Sequence, residues 1–321
     1  MPRSDLLLNL AKAGSQGDQV GVRRTLEAIV ADERGRQHHV VADRLSELLS
    51  RSESEDAPAR GPIESSSSPL LEIVPRKSFQ DMVLPPHVRQ AAGELVEEQH
   101  RADLLRSHNI EPRNRILLVG EPGNGKTSLA EALAGELAVP LLVVRYEAIV
   151  GSYLGETAMR LARLFDRVRA RRCVLFFDEF DAIGKERGDK HETGEIKRVV
   201  SSLLLNVDAL PSYVVTVAAT NHPELLDRAI WRRFQLRLEL PKPATREIRE
   251  WLTRFEERLG IPLGLQAKSV AERLKGLSYA ELDELCADVE RRIVLAGPTP
   301  DTGSIVSSRL AQWRARAAVH G

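Results

Sequence analysis

Short apolar runs alternate with longer helical patterns through the middle of this chain. Helical spacing of apolar residues fills the segments between the runs and also a segment at 87–107. Such an alternation predicts an α/β fold in which helices cover a parallel sheet on both faces. The apolar runs, each with the length of a buried strand, are residues 116–119, 141–144, 174–177, 214–218 and 236–240.

The pattern changes on both sides of this region. After Pro241 and Pro243 the strand patterns stop, and only helical patterns continue. The first 49 residues contain patterns for three short helices, and a Ser- and Pro-rich linker composition follows. A helical unit of this size is marginally stable alone, so we expect it to bind a partner, a substrate or other copies of the chain. The predicted organisation is a small helical domain at 1–49, a flexible linker at 50–75, an α/β domain at 76–241 and a small all-α lid domain at 242–321.

The charge balance and residue content argue against several classes of protein. The chain has 46 Lys and Arg residues against 46 Asp and Glu residues, and only 4% of its residues are aromatic. A nucleic-acid-binding surface carries excess basic residues and stacking aromatics, so these totals argue against nucleic acid as a partner. No apolar run approaches the roughly 18 residues of a membrane span, and Cys173 and Cys286 lie among apolar residues, as reduced core thiols do. We therefore expect a cytoplasmic protein without a membrane partner.

Residues 116–127 carry the most specific chemical motif. The apolar run leads into Gly120-x-x-x-x-Gly125-Lys126-Thr127, and an Ala- and Leu-rich helical pattern follows, which is the setting of a phosphate-binding loop. Glycines let the backbone fold around phosphate groups, and the helix N-terminus adds N–H donors and partial positive charge. Lys126 is expected to reach the β- and γ-phosphates, and the Thr127 hydroxyl to bind Mg²⁺. The predicted nucleotide-binding residues are Gly120, Glu121, Pro122, Gly123, Asn124, Gly125, Lys126, Thr127 and Ser128.

Polar side chains follow two later strand patterns. The run 173–177 is followed directly by Asp178 and Glu179, and the run 214–218 is followed by Asn221. Open α/β sheets bind ligands at the carboxyl ends of their strands, where these residues should lie. Asp178 is a hard oxygen ligand suited to hydrated Mg²⁺, and Glu179 is suited to polarise an attacking water as general base. The amide of Asn221 is expected to hydrogen-bond the γ-phosphate and the attacking water.

Arg232 and Arg233 stand side by side near the end of a short helical pattern. They could be surface cations or could interact with the negative end of a helix dipole. Neither lies near the phosphate loop of its own chain in sequence. In a ring, however, a neighbour's guanidinium could stabilise the charge that develops in the transition state.

Together these motifs resemble those of an AAA ATPase of the AAA-plus superfamily. Residues 120–127 resemble Walker A, residues 175–183 resemble Walker B, and residues 218–221 resemble sensor 1. Residues 226–234 are similar to the paired-arginine finger of the katanin and spastin type. The resemblance covers roughly residues 76–300 and implies an ATP-hydrolysing ring, usually a hexamer, with ATP and Mg²⁺ at the subunit interfaces. It implies two sets of catalytic residues: Lys126, Thr127, Asp178, Glu179 and Asn221 within one subunit, and Arg232 and Arg233 from its neighbour.

Three further segments resemble elements of this family. Asp208-Ala209-Leu210 resembles an element that signals between subunits, with alanine in place of the usual glycine. Residues 276–282 resemble a lid segment that approaches adenine, and within it Ser278 and Glu281 fit a capping box. Residues 79–83 resemble the adenine-contacting segment before the sheet but lack the glycine that usually follows.

Two stretches bear on how the energy of ATP is used. Residues 151–156 resemble the first pore loop of ring proteins that thread polypeptides, in which Tyr153 and Leu154 would grip an extended protein substrate. The alternative is a helix-start turn with a core tyrosine. Residues 188–195 match the position of a second pore loop or form a solvated loop. The sequence thus predicts an ATP-driven ring that remodels or threads a protein substrate. The alternative is an ATP-switched regulatory or assembly protein that controls a partner such as a protease or toxin.

Overall fold

A computed structural model describes residues 25, 26, 28–30, 68–149, 154–181, 195–297 and 300–317. The chain divides into two units, residues 1–66 and 67–321. In the first unit the described residues are helical, with Ile29 and Val30 buried. The rest of the predicted three-helix segment lies outside the described residues.

The second unit contains a six-stranded sheet, helices on both of its faces, and a C-terminal group of helices. Its strands are β1 (Leu70–Ile73), β2 (Arg115–Val119), β3 (Leu141–Val144), β4 (Cys173–Phe177), β5 (Val214–Thr220) and β6 (Leu236–Glu239). The helices within the sheet region are α1 (Pro86–His100), α2 (Ala102–Ser107), α3 (Lys126–Glu136), α4 (Tyr146–Ile149), α5 (Leu154–Arg169), α6 (Glu195–Asp208) and α7 (Arg228–Trp231). The C-terminal helices are α8 (Thr245–Leu259), α9 (Ala267–Arg273), α10 (Tyr279–Ala296) and α11 (Thr302–Ala317).

The sheet confirms the predicted α/β class. Its strand order is β1-β3-β4-β5-β2-β6, and β2 to β6 run parallel to one another. All five predicted strand runs form strands. The edge strand β1 was not expected: residues 70–73, which the composition placed in the linker, pair antiparallel with β3. The helical pattern at 87–107 forms two helices, α1 and α2, which meet at Arg101.

Helices cover the sheet on both faces, and side chains alternate between the two cores. Leu175 and Phe177 of β4 pack in one cluster with residues of α5 and α6. The intervening Phe176 packs in the other cluster with residues of α1 and α3. Every residue of β4 and β5 is buried, which explains their continuously apolar sequences because both faces are covered. Cys173 and Cys286 are buried free thiols, as predicted.

The C-terminal helices form a core of their own, to which Phe255 of α8, Leu285 of α10 and Leu310 of α11 contribute. As the patterns after Pro243 predicted, this part of the chain forms helices only, α8 to α11, among its described residues. Among the described residues, no helix combines the length and the apolar character that a membrane crossing requires.

Candidate active site

The phosphate-binding loop lies between β2 and α3, as the sequence predicted. Gly123 and Gly125 have φ values of 77° and 85°, in the left-handed region where glycine avoids the strain of a side chain. Gly120 is needed for a different reason, since a Cβ atom there would lie 2.3 Å from the carbonyl oxygen of Leu240 at the end of β6. The loop therefore fits closely between its own helix and the neighbouring strand.

Lys126 joins the loop to the end of β5. Its ammonium group donates hydrogen bonds to the carbonyl oxygens of Gly120 at 2.7 Å and Glu121 at 3.0 Å. A third bond, 2.6 Å long, goes to Oδ1 of Asn221. The Lys126 residue is buried, and this burial lowers the pKa of its ammonium group. Two of the predicted catalytic residues, Lys126 and Asn221, are thus in direct contact.

The end of β4 forms what we call the acidic turn, residues 178–181. The Thr127 hydroxyl donates to Oδ2 of Asp178 at 3.3 Å, and the amide of Glu179 donates to Oδ1 of Asp178 at 2.9 Å. Glu179 has a φ of 47°, which is uncommon for a residue with a side chain, and it is exposed. The turn is fixed to the sheet by a hydrogen bond from the Phe180 amide to the Ala219 carbonyl. The backbone therefore presents the Glu179 carboxylate to solvent at the edge that also holds the phosphate loop.

Thr127 and Asp178 have the chemistry of a magnesium site. A hydroxyl oxygen and a carboxylate oxygen 3.3 Å apart are hard donors, and Mg²⁺ in nucleotide sites takes the rest of its shell from water and phosphate oxygens. Within the described ranges, no group of three His, Cys, Asp or Glu side chains could hold a metal ion alone. The donor set thus fits Mg²⁺ delivered with a nucleotide and does not fit a resident structural metal.

A buried network behind the acidic turn was missed by the sequence reasoning. The Thr220 hydroxyl donates to Oδ1 of Asp181 at 2.9 Å and accepts from the amide of His222 at 3.0 Å. Asp181 and Thr220 are both buried. Their network connects the acidic turn to the backbone on either side of Asn221, so it can hold the predicted water-binding amide in place. The only sequence signal was the third acidic residue of the Walker B segment, and nothing in the sequence named its partner.

Two adjoining cavities lie along the phosphate loop. One, of about 340 Å³, is lined by residues of the loop, the acidic turn and the start of α10, together with Asn221. The other, of about 320 Å³, lies between the loop, residues 81–84 and the C-terminal helices. Trp251 and Phe255 are stacked on one wall of this second cavity. The first cavity could accept phosphate groups and the second a base.

The predicted lid segment, residues 276–282, contacts the phosphate loop through Ala280. Helix α10 begins with the predicted capping box: the Glu281 amide donates to the Ser278 hydroxyl, and the Glu281 carboxylate accepts from the Ser278 amide at 2.7 Å. This amide bond lowers the pKa of Glu281. The Ala280 amide donates to the Gly123 carbonyl at 3.0 Å, so the lid and the loop are joined through their backbones.

The two candidate finger arginines have different surroundings. Arg233 forms an ion pair with Asp208, whose other oxygen accepts from Arg115 at 2.8 Å. Arg232 is exposed, and in the described parts of the chain its side chain has no hydrogen-bond or ion-pair partner. Neither arginine lines the two cavities.

The predicted pore residues fall mostly outside the described residues. Tyr153 lies outside them, and so do residues 188–194. Leu154 is the first residue of α5 and Glu195 the first of α6.

Comparisons with known proteins agree with this geometry. Residues 116–242 match the model of the ATPase family associated with various cellular activities, AAA. The chain is 35% identical over 304 residues to an uncharacterized AAA family ATPase, y4kL, of Sinorhizobium fredii, and the match covers 92% of this chain and 90% of that protein.

Two archaeal proteins are similar over a smaller share of their length. A putative 26S proteasome regulatory subunit homolog of Methanothermobacter marburgensis is 34% identical over 59% of this chain and 51% of its own length. A cell division cycle protein 48 homolog of Archaeoglobus fulgidus is 30% identical over 75% of this chain and 34% of its own length. The chain thus spans about half the length of the Methanothermobacter protein and about a third of the Archaeoglobus protein. The motifs, the fold and these matches together show that the chain belongs to the AAA family of ATPases and hydrolyses ATP.

Proposed function

We propose that this chain forms a ring, with six subunits as the expected number, in which ATP hydrolysis at the subunit interfaces remodels a protein substrate. The observation that carries the ring is Arg232. Its guanidinium lies outside the ATP cavities of its own chain and has no partner in the described residues. An arginine placed in this way is suited to a neighbouring subunit's phosphates.

Within one subunit the site residues divide the work of hydrolysis. Lys126 holds the β- and γ-phosphates after exchanging its carbonyl contacts for phosphate oxygens. Thr127 and Asp178 hold Mg²⁺, which supplies charge neutralisation of the phosphates when bound. Glu179 takes the proton of the attacking water, and Asn221 orients that water against the γ-phosphate.

Asn221 has to move or share its oxygen for this role. In the structure its Oδ1 accepts from Lys126, and the amide nitrogen remains as a donor. The Thr220 network behind it keeps the backbone in place while the side chain changes partners. The same contact therefore links nucleotide arrival at Lys126 to the orientation of Asn221.

Protein remodelling is supported by the relatives and by the predicted pore residues. Names such as 26S proteasome regulatory subunit homolog and ATP-dependent zinc metalloprotease FtsH belong to proteins that share this ATPase region. Tyr153 and Leu154 are the residues we propose to grip the substrate, and a cytoplasmic location fits this activity. Tyr153→Ala should stop unfolding of a protein substrate.

The decisive experiment is the native mass of Glu179→Gln with ATP and Mg²⁺, compared with the same variant in ADP. Loss of the base should trap an ATP-dependent ring, so the mass should rise to that of about six subunits. Lys126→Ala is the matched control, because it should fail to bind ATP and stay small. A monomer or dimer of Glu179→Gln in both nucleotides would reject the ring and favour the ATP-switched regulatory protein.

A further inference from the structure

Tyr146 carries a buried hydroxyl group that the proposed mechanism does not use. The residue begins α4, directly after β3, and its ring packs against the cluster that contains Phe177. Its hydroxyl oxygen is inaccessible to solvent and has no hydrogen-bond partner among the described residues. A hydroxyl buried without a partner destabilises a fold, so it calls for an explanation.

The order of the strands places Tyr146 at the catalytic edge. Strands β3 and β4 run parallel, with Val143 opposite Phe176. Tyr146 follows the carboxyl end of β3 by two residues, and the acidic turn follows the carboxyl end of β4, so both lie at the same edge of the sheet. The short helix α4 is held there by a hydrogen bond from Arg160 to the Ala148 carbonyl at 3.0 Å. Tyr146 thus stands beside the acidic turn, on a neighbouring strand end.

The electrostatic surroundings keep this hydroxyl protonated. Burial raises the pKa of Tyr146 well above its ordinary value, and the negative charges of Asp178, Asp181 and Glu179 raise it further. A protonated phenol near three carboxylates is a hydrogen-bond donor without an acceptor.

Among the residues that the structure describes, Glu179 is the one of these three carboxylates that accepts no hydrogen bond. Both oxygens of Asp178 already accept hydrogen bonds, and Oδ1 of Asp181 accepts from Thr220. The Glu179 carboxylate accepts none from the residues that the structure describes, and it is exposed. It is therefore the group with the freedom to turn toward Tyr146.

We propose that Tyr146 is a positioning residue for ATP hydrolysis: its hydroxyl donates a hydrogen bond to the Glu179 carboxylate when nucleotide fills the site. This inference rests on the proposed role of Glu179 as general base. The bond fixes the direction of the carboxylate so that its second oxygen faces the attacking water. In the nucleotide-bound site the Tyr146 hydroxyl thus has the acceptor that it lacks without nucleotide, and this hydrogen bond stabilises the nucleotide-bound arrangement.

The test removes only the oxygen atom, with Tyr146→Phe in the full-length chain. We expect kcat for ATP hydrolysis to fall by roughly tenfold to a hundredfold, the effect of a hydrogen bond to a charged group. KM for ATP should stay unchanged, because Tyr146 does not line the nucleotide cavities. The melting temperature without nucleotide should be equal or higher, since an unsatisfied hydroxyl has been removed.

Tyr213→Phe is the matched control. The Tyr213 hydroxyl donates to the Arg169 carbonyl at 2.7 Å. Tyr213 lies at the amino end of β5, whereas the acidic turn lies at the carboxyl end of the neighbouring β4. It also loses one hydroxyl, and its kcat should equal that of the unaltered protein. An unchanged kcat in Tyr146→Phe would overturn the proposal, and so would a parallel loss of kcat, ATP affinity and melting temperature, which indicates a structural role.

A double variant separates this inference from the function on which it rests. In Glu179→Gln, single-turnover hydrolysis should be nearly abolished, and adding Tyr146→Phe should slow it by less than about twofold because the two residues act as a unit. Full additivity of the two losses would overturn the role of Tyr146 alone. Normal hydrolysis by Glu179→Gln would instead reject Glu179 as the base, whatever Tyr146→Phe does.

Discussion

Arg233 is paired with Asp208 of its own chain, whereas the side chain of the adjacent Arg232 has no such partner in the described residues. Asp208 is the last residue of α6, and it also binds Arg115 at the start of β2. One carboxylate thus holds two guanidinium groups against the body of the subunit. The two arginines, for which the sequence predicted one shared role, therefore differ in their contacts within the subunit.

We predict that Arg232→Ala lowers kcat about a thousandfold or more, as expected for an arginine that stabilises the transition state in a neighbouring subunit. Its melting temperature should not change. Arg233→Ala removes an ion pair that is about one-third exposed, so it should cost no more than about 1 kcal/mol of stability. Steady-state ATPase assays and thermal melts of both variants test this prediction. It would be contradicted if Arg232→Ala and Arg233→Ala lowered kcat to the same extent.

Two threonines of β5 provide a matched pair of buried hydroxyls. Thr220→Val removes the partner of buried Asp181 and should cost about 1–3 kcal/mol, since it leaves a polar group unsatisfied. Thr216→Val removes a buried hydroxyl that has no partner in the described residues, so it should be neutral or stabilising. Urea unfolding of the two variants measures the difference. If both lose the same stability, the Thr220–Asp181 bond does not contribute as we expect.

Two glycines test the close approach of the phosphate loop to β6. In Gly120→Ala the new methyl group would meet the Leu240 carbonyl at 2.3 Å, so we expect a loss above about 2 kcal/mol and weaker ATP binding. Gly93 lies within α1, where a Cβ atom would have nothing within 4 Å. Gly93→Ala should therefore stabilise the protein by about 0.5–1 kcal/mol. Denaturant titration gives both values, and a stable Gly120→Ala with normal ATP binding would be the contrary result.

The buried thiols predict a fall in stability at alkaline pH. Burial raises the pKa of Cys173 to about 11, and it raises the pKa of Cys286 as well. An unfolded chain releases these protons from about pH 8.5, whereas the folded chain retains them. The free energy of unfolding is therefore undiminished by the thiols below about pH 8.5, and it falls as the pH rises toward 11.

A thiol-reactive dye provides the measurement. At pH 8 both cysteines should be unreactive in the native protein and should react rapidly in denaturant. Cys173→Ala should flatten part of the alkaline loss of stability. Rapid labelling of the native protein would show that the thiols are accessible.

Local sequence patterns predicted the parts of the site that lie on contiguous segments. The strand, loop and helix around Lys126 follow one another in sequence, so their spacing alone placed the phosphate loop. The ends of apolar runs likewise located Asp178 and Asn221, because parallel strands bring their carboxyl ends to one edge. The capping box of Ser278 and Glu281 was predictable since its partners are three residues apart.

The remainder depends on contacts between distant segments. Thr220 and Asp181 are 39 positions apart, and no periodicity relates them. Strand β1 is only four residues long and lies beside a Ser- and Pro-rich stretch, so its local sequence resembles a linker. What makes it a strand is its pairing with the distant β3. The pairing of Arg233 with Asp208 similarly requires α6 and the end of α7 to meet, which only the fold decides.

The hydrogen bond between the Ala280 amide and the Gly123 carbonyl has one more consequence. It joins two main-chain atoms, so among side-chain changes at position 280 only proline would remove the donor. Position 123 is different, because a Cβ atom there would lie 3.0 Å from the Cβ of Ala280 and from Oγ of Ser278. The start of α10 therefore stays in register with the phosphate loop as long as position 123 is glycine and position 280 is not proline.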